Sequence, residues 1–168
     1  MGHRQQWQIG MATALLAAVI GLAGCDNQRI AELEEGVATE ADVRTKFGQP
    51  ENIWDAPDGG RIFEYNRQPQ GQKNYMITIG RDGKMSALRQ VLTPENFAKV
   101  KPGMMMEDLR KLLGKPAKVT PYALKRETEW EWRWVQPPNS PMVFTATLND
   151  DQRVVRSGSS PDRATEAN

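Results

Sequence analysis

The chain has 168 residues, enough for one ordinary domain or for two small ones sharing a surface. Lysines and arginines number 22 against 21 acids, and without Arg4, which lies in a leader-like segment, the balance is 21 to 21, so no clustered basic face argues for a nucleic-acid partner. With Cys25 the only cysteine and His3 the only histidine, the chain beyond them cannot build a disulfide framework, a Ser-His-Asp triad, a Cys-His dyad or a common zinc site.

Arg4 precedes an apolar run from Ile9 to Leu22, the positive-then-apolar order of a secretory signal, too short and too rich in glycine and alanine for a membrane span. It ends in Leu22-Ala23-Gly24-Cys25, which resembles the lipobox of bacterial lipoproteins. The resemblance implies cleavage after residue 24, a diacylglycerol on the Cys25 sulfur and an acylated amine, hence a tethered protein. Residues 25–29 then read as the lipidated cysteine and a polar spacer. Asp26 directly after the cysteine resembles the signal that keeps enteric lipoproteins in the inner membrane, the alternative to an outer-membrane anchor.

Next the sequence repeats itself. Ile30 to Phe97, Leu33 to Val100 and Gly36 to Gly103 are each 67 apart, and Val43 to Leu109, Phe47 to Leu113, Gly48 to Gly114 and Pro50 to Pro116 are each 66 apart. A register held over so many apolar and punctuating positions reads as a duplication, with one residue slipped in a loop. Residues 30–93 form the first repeat and 94–157 the second. Each opens with two short helices. Thr39-x-x-Asp42 has the form of a capping box, whereas Met105 takes the corresponding place in the second copy and cannot cap. Gly48 and Gly114 stand where left-handed C-caps are expected, and Pro50 and Pro116 prevent continuation. Three strand patterns follow each helix pair: Arg61–Asn66, Asn74–Ile79 and Met85–Leu92, then Glu127–Val135, Met142–Leu148 and Arg153–Arg156. Arg81-Asp82-Gly83-Lys84 and Asn149-Asp150-Asp151-Gln152 are the hairpin turns. From Ser157 the chain is polar and without apolar period, and residues 158–168 are expected to be a disordered tail.

The expected class is therefore α+β, two tandem helix-helix-three-stranded antiparallel meander repeats. Gly103, Met104, Leu109, Leu113, Gly114 and Pro116, the strand Trp130–Trp134 and the lipobox together resemble the BamE/SmpA/OmlA family of outer-membrane assembly lipoproteins. The first copy matches through Gly36, Val43, Gly48 and Pro50. The tandem arrangement is also similar to the secreted β-lactamase-inhibitor proteins. The resemblance implies a protein-binding module without cofactor, catalytic residues or metal, at the periplasmic face of the outer membrane. Its partners would be envelope proteins such as the assembly machinery. The second family implies an alternative, an inhibitor-like module that holds a periplasmic or secreted enzyme on a concave sheet.

Three groups are candidates for contact. Trp130, Trp132 and Trp134 alternate with charges, so they share one strand face, either roofing the core or left uncovered for a partner. Met104-Met105-Met106 is a run that no amphipathic helix requires. It reads as loop packing, as a docking surface, or, more remotely, as thioethers for Cu(I). The acids Glu32, Glu34, Glu35 and Glu127, Glu129, Glu131 read as solvated faces rather than general acids and bases.

Overall fold

The computed structural model describes residues 26–163; the leader and Cys25 lie outside them, as do residues 164–168. Two units of one plan follow each other. In the first, helices α1 (Asp26–Ala31) and α2 (Glu40–Phe47) cover an antiparallel sheet of β1 (Asn52–Asp55), β2 (Arg61–Asn66), β3 (Asn74–Ile79) and β4 (Met85–Gln90), hydrogen-bonded in that order. In the second, α3 (Pro94–Phe97) and α4 (Met106–Leu113) precede β5 (Lys118–Tyr122), β6 (Glu127–Gln136), β7 (Ser140–Asn149) and β8 (Val154–Pro161) in the same order.

Three expectations are corrected. Each sheet has four strands, not three: β1 and β5 leave the helix exits at Pro50 and Pro116 and pair with β2 and β6. Both are short outer strands, largely exposed, so backbone pairing holds them where no apolar period announced them. The polar stretch from Ser157 is likewise a strand as far as Pro161, because Met142 to Ala146 of β7 offer it a ladder. An edge strand needs partners for one row of its backbone groups only, and its side chains stay exposed. Third, the supposed spacer is folded: α1 begins at Asp26, whose carboxylate takes both Arg67 Nε (3.0 Å) and Nη2 (3.2 Å).

The duplication is legible bond by bond. Gly36 N donates to Met85 O (2.7 Å) as Gly103 N does to Val154 O (2.8 Å), and Glu40 N donates to Gly83 O (3.0 Å) as Met106 N does to Gln152 O (2.8 Å). In both units the strap leading into the second helix is thus stitched to the edge strand and its hairpin. Even the bulge recurs, at Thr78/Ile79 and at Thr147/Leu148.

Helix starts differ as their sequences require. Thr39 and Asp42 form a reciprocal capping box, while Met105 makes no side-chain cap. Thr39→Ala is expected to cost about 1 kcal/mol, and Met105→Thr to gain part of that amount. Urea denaturation checks both, and a loss with Met105→Thr would assign that methionine a packing role instead. Both helices end on glycine, but not left-handed: Gly48 (φ 83°, ψ −160°) and Gly114 (φ 76°, ψ −174°) occupy the extended positive-φ region that is essentially glycine's alone.

Alternation writes the cores. Phe63, Tyr65, Tyr75, Ile77 and Ile79 meet Val43 and Phe47 of α2, and Trp132, Trp134, Phe144, Ala146 and Leu148 meet Leu109 and Leu113 of α4. Strand β3 is buried on both faces, Asn74 and Met76 included, because the end of α4 reaches across the first sheet. Asn74 Nδ2 donates to Leu113 O (2.9 Å) and Lys115 O (3.1 Å).

Candidate functional site

The two units meet at a polar joint. Glu64, wholly buried, lies on the β2 face away from α2. Its carboxylate accepts from Trp54 Nε1 (3.0 Å), Asn66 Nδ2 (2.7 Å), the Lys115 backbone N–H (2.9 Å) and, more loosely, Arg110 Nη2 (3.4 Å). Lys115 Nζ reaches Glu51 at 2.6 Å. Burial pushes the Glu51 carboxyl up, but hydrogen bonds from Lys115 and Asn66 outweigh it and leave it below the usual range. The Trp54 ring carries Arg110 and Lys111 over its faces, with centroid distances of 5.9 and 5.3 Å.

A second seam lies beside β6. β5 keeps on β6 the register of β1 on β2, Lys118 opposite Glu131 as Asn52 is opposite Glu64, and the backbone of Arg133 lies beyond the start of β5. The side-chain amide of Gln68 takes that place, donating to Arg133 O (2.7 Å) and accepting from Arg133 N (3.3 Å). The Arg133 side chain is paired with Asp162 at 2.8 Å.

The tryptophan ladder belongs to the core. Trp132 and Trp134 are buried, Trp130 is half-buried against the same cluster, and Trp132 Nε1 donates to Gly114 O at 3.0 Å. The opposite face of β6 bears the acids. Arg156 binds Glu127 through two hydrogen bonds (2.7 and 2.8 Å), which hold that carboxyl low and the guanidinium high. Lys118 meets Glu131 at 3.2 Å. In the first unit Glu32 pairs with Lys46, and Glu35 with Arg89. These carboxylates are held below their usual range by the cations beside them. Among the described residues no group of three or more His, Cys, Asp or Glu side chains could hold a metal ion.

The methionine run divides. Met104 and Met106 pack against the core, whereas Met105 is 36% exposed, so the three sulfurs do not share one environment. Sequence reasoning missed a more exposed apolar group. At the same end of the sheet, between β5 and β6, a 3-10 turn over Ala123–Lys125 holds Leu124 fully in solvent, next to exposed Tyr122. The turn is braced: Arg126 takes a left-handed conformation (φ 54°), its N–H donates to Ala123 O (3.2 Å) and its guanidinium meets Asp150 of the neighbouring hairpin. Lys125 Nζ lies over the Tyr122 ring at 5.7 Å. The signal was available as Tyr122-Ala123-Leu124 in a turn, two large apolar residues with no strand or helix face to hide them. Gly36, Gly48, Pro50, Gly103, Gly114 and Pro116 stand at the turns that bound the two long helices.

No protein-family model and no curated protein matches this chain. Among solved structures, a DUF4309 family protein from Bacillus subtilis matches with 20% identity over 78% of this chain and 83% of that one, with a TM-score of 0.29. A candidate beta-lactamase inhibitor protein from Streptococcus mutans matches with 11% identity over 73% and 82%, with a TM-score of 0.34. An extracellular protein containing an SCP domain, from Bacillus anthracis, matches with 12% identity; this chain is covered over 96% of its length and spans 50% of that one, with a TM-score of 0.31.

Proposed function

We propose that the chain is a lipid-anchored protein-binding module of the cell envelope, without enzymatic activity or cofactor, acting in or beside outer-membrane protein assembly or in keeping the envelope intact. The observation that supports the binding reading best is the end of the second unit. Leu124 stands 104% exposed on a turn braced by Arg126 and Asp150, next to exposed Tyr122, and a rigid apolar knob beside an aromatic is the composition of an interface hot spot. The anchor at Cys25 follows from the leader. The periplasmic face of the outer membrane is its expected place, with the inner membrane as the alternative that Asp26 raises.

The inhibitor-like reading has its own support. Tyr122 and the acids Glu127, Glu129 and Glu131 belong to one sheet face, since Tyr122 pairs with Glu127 and the acids alternate with the buried tryptophans. A photo-crosslinking amino acid at Leu124 and at Met105, in intact cells, tests both. A specific protein adduct from Leu124 is expected, and an assembly component in it would support the first partner class, a periplasmic or secreted enzyme the second. No adduct from either position, with outer-membrane protein levels unchanged on deletion, overturns the reading.

A further inference from the structure

Each sheet ends in an edge strand beside the opening loop of its unit, β4 in the first and β8 in the second. Which backbone groups of β8 face outward follows from its two ends. Asp162 N donates to Pro141 O (3.1 Å), and Val154 exchanges bonds with Gly103 and Met104. With Ser160 opposite Val143, Gly158 opposite Thr145 and Arg156 opposite Thr147, residues 156, 158 and 160 turn their N–H and C=O groups to β7. Ser157, Ser159 and Pro161 turn theirs away.

The same alternation puts Leu88 outward on β4, and there its N–H donates to Glu35 Oε1 at 3.0 Å, with Arg89 closing the pair. Glu35 thus plugs the first edge. The residue 67 positions later is Pro102, which has no side-chain acceptor, and among the described residues nothing meets the outward N–H groups of Ser157 and Ser159. Strand β8 is longer, eight residues against six. It carries no lysine and, past the bulge at Val155, no further bulge, and it contains Gly158, where a Cβ would meet nothing within 4 Å. It lacks the devices that shield natural edges, until Pro161 closes it.

The flank of this edge is basic. Phe97 stacks on Phe144 (4.2 Å), whose neighbour on β8 is Ser159. From there the chain runs to Gly103 beside Val154, with Lys99 and Lys101 exposed on either side of buried Val100. Arg153 precedes the strand and Arg163 follows it. Lys99 bonds Asn96 and Arg153 bonds Gly103 O, but none of these four cations is paired with a carboxylate among the described residues. The corresponding stretch of the first unit carries Glu32, Glu34 and Glu35 instead.

We propose that β8 accepts an extended acidic segment of a partner protein as a fifth strand of the second sheet. The partner's backbone closes on Ser157 and Ser159, and its carboxylates meet Lys99, Lys101, Arg153 and Arg163. This rests on the protein-binding reading and gives it a partner chemistry at a surface apart from Leu124.

The test uses the full chain in detergent and two fluorescein-labelled heptapeptides of equal strand propensity, Thr-Asp-Val-Glu-Val-Asp-Thr and its counterpart with lysine at each acidic position. The acidic peptide is expected to bind and the basic one not, with affinity falling as salt rises. Amide exchange at Ser157 and Ser159 is expected to slow in the complex. Ser159→Pro removes an outward N–H and leaves the bonds to β7 alone, and Pro102→Glu copies the plug of the first unit. Each is expected to weaken binding at least tenfold with the circular dichroism spectrum unchanged. If Ser159→Pro does not fold, Pro102→Glu decides. Absence of binding overturns the proposal, as does binding that both variants leave intact, which would be charge alone. A peptide-free dimer abolished by Pro102→Glu would give the edge to a second copy and overturn it too. None of these outcomes touches crosslinking from Leu124, so the two readings fail separately.

Discussion

Glu64→Ala is expected to destabilise the protein by about 3–5 kcal/mol, the range for removing one partner of a buried charge network. The carboxylate is fully buried between two sheet residues, Trp54 and Asn66, and two groups from the end of α4, Arg110 and the Lys115 backbone. Its removal leaves a guanidinium, an indole N–H and a backbone N–H facing a void, and buried donors without acceptors cost their full desolvation. Because three of the four donors come from outside β2 and two of them from the other unit, the loss falls on the joint. Urea unfolding followed by tryptophan fluorescence, which reports mainly Trp130, Trp132 and Trp134, is therefore expected to separate from unfolding followed by circular dichroism. Glu64→Gln, which keeps shape and one acceptor, is expected to lose less than half as much. A cost below about 1 kcal/mol for Glu64→Ala would show that the units hold together without this network.

Gly114→Ala is expected to cost on the order of 4 kcal/mol, and Gly48→Ala about 1–3 kcal/mol, from the same backbone conformation in two different surroundings. Both glycines have positive φ with extended ψ, so an added Cβ strains either one. Around Gly48 that atom meets nothing within 4 Å. At Gly114 it would stand 2.6 Å from Asn66 Oδ1 and 2.9 Å from Asn74 Nδ2, the side chains that bind Lys115 N and the Leu113 and Lys115 carbonyls. The alanine therefore strains its own backbone and lifts α4 from the first sheet. Equilibrium denaturation of the two variants isolates the second effect as their difference. Equal losses would mean that the joint yields at no cost.

The comparison of these glycines shows what sequence reasoning could and could not reach. Both positions, and the proline two residues on, are visible as punctuation at a fixed offset, and the duplication predicts that they end equivalent helices. That one of them is also a contact between units depends on Asn66 and Asn74, polar residues in strands that no local pattern links to residue 114. The exposed apolar turn at Leu124 was missed for a related reason. The tryptophans and methionines are the conspicuous residues, but tryptophans alternating with charges are what a half-covered sheet demands, and two of the three methionines fill core. The outer strands β1 and β5 and the polar end of β8 from Ser157 were missed because periodicity registers buried side chains, whereas these segments are held by backbone bonds.

Composition, spacing and punctuation alone determined the duplicated plan, the helix ends, the central strands with their cores and the absence of histidine and thiol chemistry beyond the leader. These rest on local periods and on residue types, which are properties of the chain at short range. Tertiary structure decided what the two copies do differently: the burial of Glu64, the plug at Glu35, the unplugged edge at Ser157 and Ser159, and the turn that holds Leu124 in water. Each depends on which groups lie opposite one another across ten or more residues, and a hydrogen bond or its lack at such a separation leaves no period in the sequence.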